Sequence, residues 1–155
     1  MNDYCARKLA APVGDLSALE GPARAVERAA ALFGERLVGI AAFGSWARRQ
    51  AVAGSDVDLL LVVESSVPLT RGLYRDWDAE PMSWDGRRVE AHFVHLPEER
   101  RVAAGVWAEV ALDGIILFER RFAVSTRLSR VRQDIVAGRI VRKVSHGQPY
   151  WAEVA

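Results

Sequence analysis

Gly44-Ser45, ten further residues and then Asp56-Val57-Asp58 bring two kinds of chemistry into one short stretch. A small-residue turn that leads straight into a helix presents backbone N–H groups to an anion, above all a phosphate. Residues i and i+2 of a strand share a face roughly 6–7 Å apart, so Asp56 and Asp58 are expected to project together. Like charges that close repel unless a cation lies between them. Hard oxygen ligands favour Mg²⁺ or Mn²⁺, and Mg²⁺ uses one or two carboxylates plus substrate phosphates. Turn and acids together describe a site for a metal–triphosphate complex. A second ion beside an attacking hydroxyl calls for one more carboxylate. Glu90, flanked by Val89 and Ala91 in an alternating segment, is the candidate. His92 shares its face, whereas His92 and His95 fall on opposite faces and do not form a metal pair. Both histidines read as structural or surface residues, with a place near the site as the alternative for His92.

The elements that must position these side chains follow from periodicity. Leu19, Ala23, Val26, Ala30, Phe33 and Leu37 recur at three- and four-residue steps, predicting a helix over 19–34. Residues 37–43 are an apolar run of strand length ended by Gly44-Ser45, and 46–50 suit a short helix capped by Ser45. Residues 56–63 form a second strand, apolar on both faces past the acids and therefore central. A helix over 69–79, turns at Pro81 and Asp85-Gly86, and a third strand over 88–95 follow. Pro97-Glu98-Glu99 is expected to open a helix reaching about Leu112. Residues 115–118 form a fourth strand, and Val124, Leu128, Val131 and Ile135 stripe a last helix ended by Gly138. Arg127, Arg130 and Arg132 read as its solvated face, with a partner surface as the sharper alternative. The tail over 139–155 is expected as an edge strand, its Tyr150-Trp151 docking against the body or a second subunit. Trp46, Trp77, Trp84 and Trp107 read as packing residues. The fold class is α/β (α+β), a small mixed sheet flanked by helices.

Composition narrows the function classes. The chain has 155 residues, half of them hydrophobic, enough for one domain with a real core. A net charge of +1 gives no global case for a polyanion partner such as nucleic acid. The single cysteine, Cys5, excludes an internal disulfide framework and a thiolate zinc site. The apolar run 59–63 is too short to span a bilayer, and residues 1–17 lack the apolar stretch of a secretory signal. Cytoplasm is the expected location.

With Gly-Ser, ten residues, Asp-x-Asp and a strand acid about thirty residues on, the chain resembles the polymerase-beta-like nucleotidyltransferase superfamily. Within it, the chain looks like the small minimal nucleotidyltransferase (MNT) group. The resemblance covers residues 19–119, leaving 1–18 as a lead-in and 120–155 as a C-terminal helix and tail of the same single domain. It implies that Gly44 and Ser45 hold the nucleotide β- and γ-phosphates, with Arg48 and Ser55 also on the nucleotide. It implies that Asp56 and Asp58 bind both metals, and that Glu90 ligates the metal beside the acceptor hydroxyl and helps deprotonate it. The chain departs from the family pattern at Trp46, where a small or basic residue is frequent. Arg49 stands in place of glycine, and Glu90 in place of aspartate.

The expected function is transfer of a nucleoside monophosphate, AMP from ATP, to an acceptor hydroxyl with Mg²⁺ or Mn²⁺ as cofactor. Resemblance to MNT antitoxins makes a tyrosine of a helical HEPN ribonuclease toxin the expected acceptor and partner. Two other readings stand beside it. One is a non-catalytic nucleotide-binding subunit that neutralises its partner by contact. The other is a nucleotidyltransferase acting on a small molecule of the antibiotic type.

Overall fold

The computed structural model describes residues 17–155, so most of the lead-in expected over 1–18, Cys5 included, lies outside the described residues. Helix α1 (Ser17–Phe33) leads through a 3₁₀ turn, Gly34–Arg36, into β1 (Leu37–Phe43), and α2 (Gly44–Ala47) follows at once. After a loop come β2 (Val57–Val63), α3 (Arg71–Asp78), the two-residue β3 (Ser83–Trp84) and β4 (Arg87–His95). The chain continues through α4 (Val106–Asp113), β5 (Ile115–Glu119), α5 (Ala123–Val136), β6 (Ile140–Ser145) and β7 (Gln148–Glu153).

Five strands form one mixed sheet in the order β3-β4-β2-β1-β5. β2 lies antiparallel to β1 and parallel to β4. Period-two alternation divides the side chains between two cores. Val57, Leu59, Leu61 and Val63 pack with Ala25, Ala29 and Phe33 of α1 and with Trp77, Trp84 and Phe93. Leu60 and Val62 face the other way, onto Trp107, Ala108, Val110 and Ala111 of α4 and Val124, Leu128 and Val131 of α5. Seven-residue β2, apolar on both faces, is therefore the central strand that its sequence predicts. Trp46 meets Trp84 edge to face at 4.9 Å, and Trp77, Trp84 and Trp107 are buried, as packing residues should be.

Four local expectations change. The short helix opens at Gly44 and has no side-chain cap; the Gly44 carbonyl accepts the Arg48 N–H, so Ser45 is inside the helix. The helix expected from Pro97 begins only at Val106. The Glu99 carbonyl instead accepts from Arg127 Nη1 at 3.0 Å, Arg127 Nη2 takes the Arg101 carbonyl, and Gly105, at φ 60°, sets the new start. That also removes Arg127 from the solvated face, since it is only 5% exposed; Arg132 stays exposed as expected, with its Nη1 donating to the Ala111 carbonyl at 3.0 Å. Finally, the tail is a separate hairpin of β6 and β7 and not an edge of the main sheet. His146 and Gly147 carry positive φ at its two-residue turn, the geometry a tight hairpin requires. Ile140 is buried and Trp151 packs against the α4–α5 core, so the tail docks on the body.

Candidate active site

The site lies where the C-terminal end of β1 meets the N-terminal ends of β2 and β4. Phe43 stands opposite Asp58, and Asp58 stands beside Glu90 in parallel register. Asp58 shares its face with Leu60 and Val62, so its carboxyl emerges at the edge of the α4–α5 core. Glu90 and His92, two apart on β4, come out on that same face. Directly beyond Phe43 the chain turns at Gly44, with φ +76°, and a Cβ there would sit 2.3 Å from Asp58 Oδ2. Only glycine lets the turn backbone come this close to the carboxylate.

One ligand atom from each of Asp58, Glu90 and His92 lies within 4.8 Å of the other two. Glu90 is exposed, and the Asp58 and His92 side chains keep 25% and 38% of their surface. His92 Nε2 donates to Asp58 Oδ1 at 3.2 Å, and the imidazole sits edge to face on Phe43 at 5.1 Å. The hydrogen bond to Asp58 holds the His92 pKa above its ordinary value; partial burial opposes this, and the charges of Asp58, Glu90 and Glu109 add to it. Among the described residues no arginine or lysine is ion-paired with Asp58 or Glu90. Two carboxylates and one imidazole converging with no arginine or lysine between them are a donor set that fits a divalent cation.

The other expected site residues are placed differently. β2 begins at Val57, so Asp56 precedes the strand and stands outside the cluster of three. The cause is the preceding loop. Val52 N–H donates to Ser55 Oγ at 2.9 Å, and Arg87 Nη1 binds the Val52 and Ser55 carbonyls at 2.7 and 3.1 Å. These bonds hold residues 52–55 in a turn and leave Asp56 at its exit. The Ser55 hydroxyl is thus engaged by the loop itself. Arg48 is exposed and donates from Nε to Gln50 Oε1 at 3.1 Å. Arg49 is exposed.

Sequence reasoning gave His92 no more than a possible place near the site. His92 has a local signal, its i, i+2 spacing from Glu90, but that spacing does not show which neighbour the ring meets. His95, by contrast, binds the Val67 carbonyl at 2.7 Å and is structural, as expected. Glu109, on α4, adds only its charge at His92. A separate open groove of about 850 Å³ runs along α5, lined by Arg121, Arg130, Arg132 and Glu99 among others, and none of the three clustered residues borders it.

No helix among the described residues is long and apolar enough to cross a membrane. No curated protein matches the chain. Among solved structures, the chain is similar to a toxin–antitoxin crystallised with AMP-PNP, at 15% identity and TM-score 0.47, covering 75% of this chain and 90% of that one. It is similar also to a mutant of the toxin–antitoxin MntA-HpeT, at 14% identity and TM-score 0.46, with the same coverage. Residues 24–124, well over half of the sequence, match the Nucleotidyltransferase domain family. With the mixed sheet, the Gly44 turn and the clustered acids in place, the chain belongs to that family and is a nucleotidyltransferase of polymerase-beta-like fold.

Proposed function

We propose that the chain moves a nucleoside monophosphate, AMP from ATP, to an acceptor hydroxyl and releases pyrophosphate. The observation that carries this reading is Asp58 beside Glu90 in parallel register, with the Gly44 turn closed against Asp58. Asp58 and Glu90 would hold a divalent cation, Mg²⁺ or Mn²⁺, with Asp56 completing the set from the loop exit. Such a cation, when bound, neutralises triphosphate charge and favours in-line displacement. Gly44 and Ser45 take the β- and γ-phosphates at the start of α2, with Arg48 and Ser55 on the nucleotide side. Glu90 accepts the proton of the acceptor hydroxyl, whose oxygen attacks the α-phosphorus. The bond from that phosphorus to the β-phosphate oxygen breaks, and pyrophosphate leaves. Orientation and charge, with little covalent work by the protein, account for most of such a rate enhancement.

The acceptor we propose is a protein tyrosine on a HEPN-type partner, as resemblance to the MNT group implies. Incubation with α-labelled ATP, Mg²⁺ and a cell extract tests both halves. Wild type should label a protein, and Asp58→Asn should lower labelling by at least about a hundredfold, the scale of a lost electrostatic group. Equal labelling by the variant would remove Asp58 from the site. A partner captured but never labelled would make the chain a binding subunit.

A further inference from the structure

We infer that His92 is a nitrogen ligand in the metal site, and that it turns the site toward a first-row transition ion such as Mn²⁺ in preference to Mg²⁺. The inference rests on the proposed assignment of Asp58 and Glu90 to the metal. Distances carry it first. Donors bound to one octahedral ion at about 2.1 Å stand about 3.0 Å apart when adjacent and about 4.2 Å apart when opposite. Nε2 of His92 lies 3.2 Å from Asp58 Oδ1, and the ligand atoms of all three residues fall within 4.8 Å of one another. One ion can therefore meet an imidazole nitrogen and two carboxylate oxygens with little movement of any side chain.

Ring placement points the same way. Edge-to-face contact with Phe43 fixes the imidazole plane, and the β4 register puts His92 on the face of Glu90 and Asp58. His92 differs here from His95: its Nε2 meets the Asp58 carboxylate proposed to hold the ion, whereas the His95 nitrogen meets a backbone carbonyl, that of Val67. The cluster adds His92 to the carboxylates, which makes the donor set a mixed nitrogen–oxygen one. Mg²⁺ takes oxygen ligands and keeps its waters; Mn²⁺ shares its liking for carboxylates but, as the first member of the divalent transition series, also accepts an imidazole nitrogen.

Mn²⁺ bound to the full chain provides the test, read by pulsed electron paramagnetic resonance without reference to turnover. Wild type should show ¹⁴N coupling from a directly bound imidazole, and His92→Gln should lose it. Competition titrations should show the Mn²⁺-over-Mg²⁺ preference falling about tenfold in that variant, the lower end of the effect of altering a metal's surroundings. Asp58→Asn should abolish specific Mn²⁺ binding. Absence of ¹⁴N coupling in wild type, or an unchanged metal preference in His92→Gln, would overturn the role of His92 while leaving Asp58 and Glu90 as ligands. Undiminished Mn²⁺ binding by Asp58→Asn would overturn the metal reading and the inference with it.

Discussion

Gly44 meets two demands at one position: its φ is +76°, and Asp58 Oδ2 occupies the space a Cβ would need. Alanine there adopts a left-handed conformation that costs about 1–2 kcal/mol, and its methyl pushes on the carboxylate proposed to hold the metal. Gly44→Ala should therefore lower the urea midpoint with little change in slope and weaken Mn²⁺ affinity in the same protein. Calorimetric titration alongside urea unfolding would check both; a variant with wild-type metal affinity would mean that the turn does not constrain Asp58. At this scale the sequence is readable wherever chemistry follows backbone period. Glu90 shares a face with His92 because they are two apart on one strand. Pairing of Asp58 with His92, across 34 residues, depends on strand neighbours that no local pattern specifies.

Among the elements, the end of α5 and the C-terminal hairpin are joined by one buried carboxylate. Asp134 is 1% exposed, and its Oδ1 accepts from Arg139 Nε at 2.8 Å and pairs with Arg139 Nη2 at 2.7 Å and Arg130 Nε at 3.7 Å. The Val154 N–H then binds the Arg139 carbonyl at 2.9 Å, closing the base of the hairpin. Asp134→Ala strands two half-exposed guanidinium groups that water can reach. The loss should be about 1–3 kcal/mol, the scale of hydrogen bonds to a charged group. Hydrogen exchange should quicken over residues 140–153 while Mn²⁺ affinity holds; unchanged protection there would show that the hairpin does not depend on this carboxylate. Arg127 has an equivalent role for the loop before α4, which is why a helix predicted from Pro97 starts late. Hairpin signals were present at Asp85-Gly86, read as a turn, and at His146-Gly147, where an edge strand was expected instead.

Taken as one molecule, the protein should gain stability from its ligands. A ligand that binds only the folded state at a hundred times its dissociation constant adds about 2.7 kcal/mol. For a chain of this size that is a rise in Tm of roughly 5–10 °C. ATP with Mn²⁺ should therefore raise the melting temperature, EDTA should reverse the rise, and Asp58→Asn should show neither effect. An equal rise in the variant would place the nucleotide elsewhere, the α5 groove being the first region to examine.

Helical spacing in α1, the apolar runs of β1 and β2, the Gly44-Ser45 turn and the shared face of Glu90 and His92 were determined by the sequence itself. Each depends on backbone geometry over a few residues, where covalent period decides which side chains face together. Tertiary structure alone decided that Asp56 stops short of β2 and that Arg127 takes the carbonyls of the loop before α4. It also brought His92 into contact with Asp58. These arrangements arise between segments far apart in the chain, where packing and hydrogen-bond satisfaction outweigh local propensity.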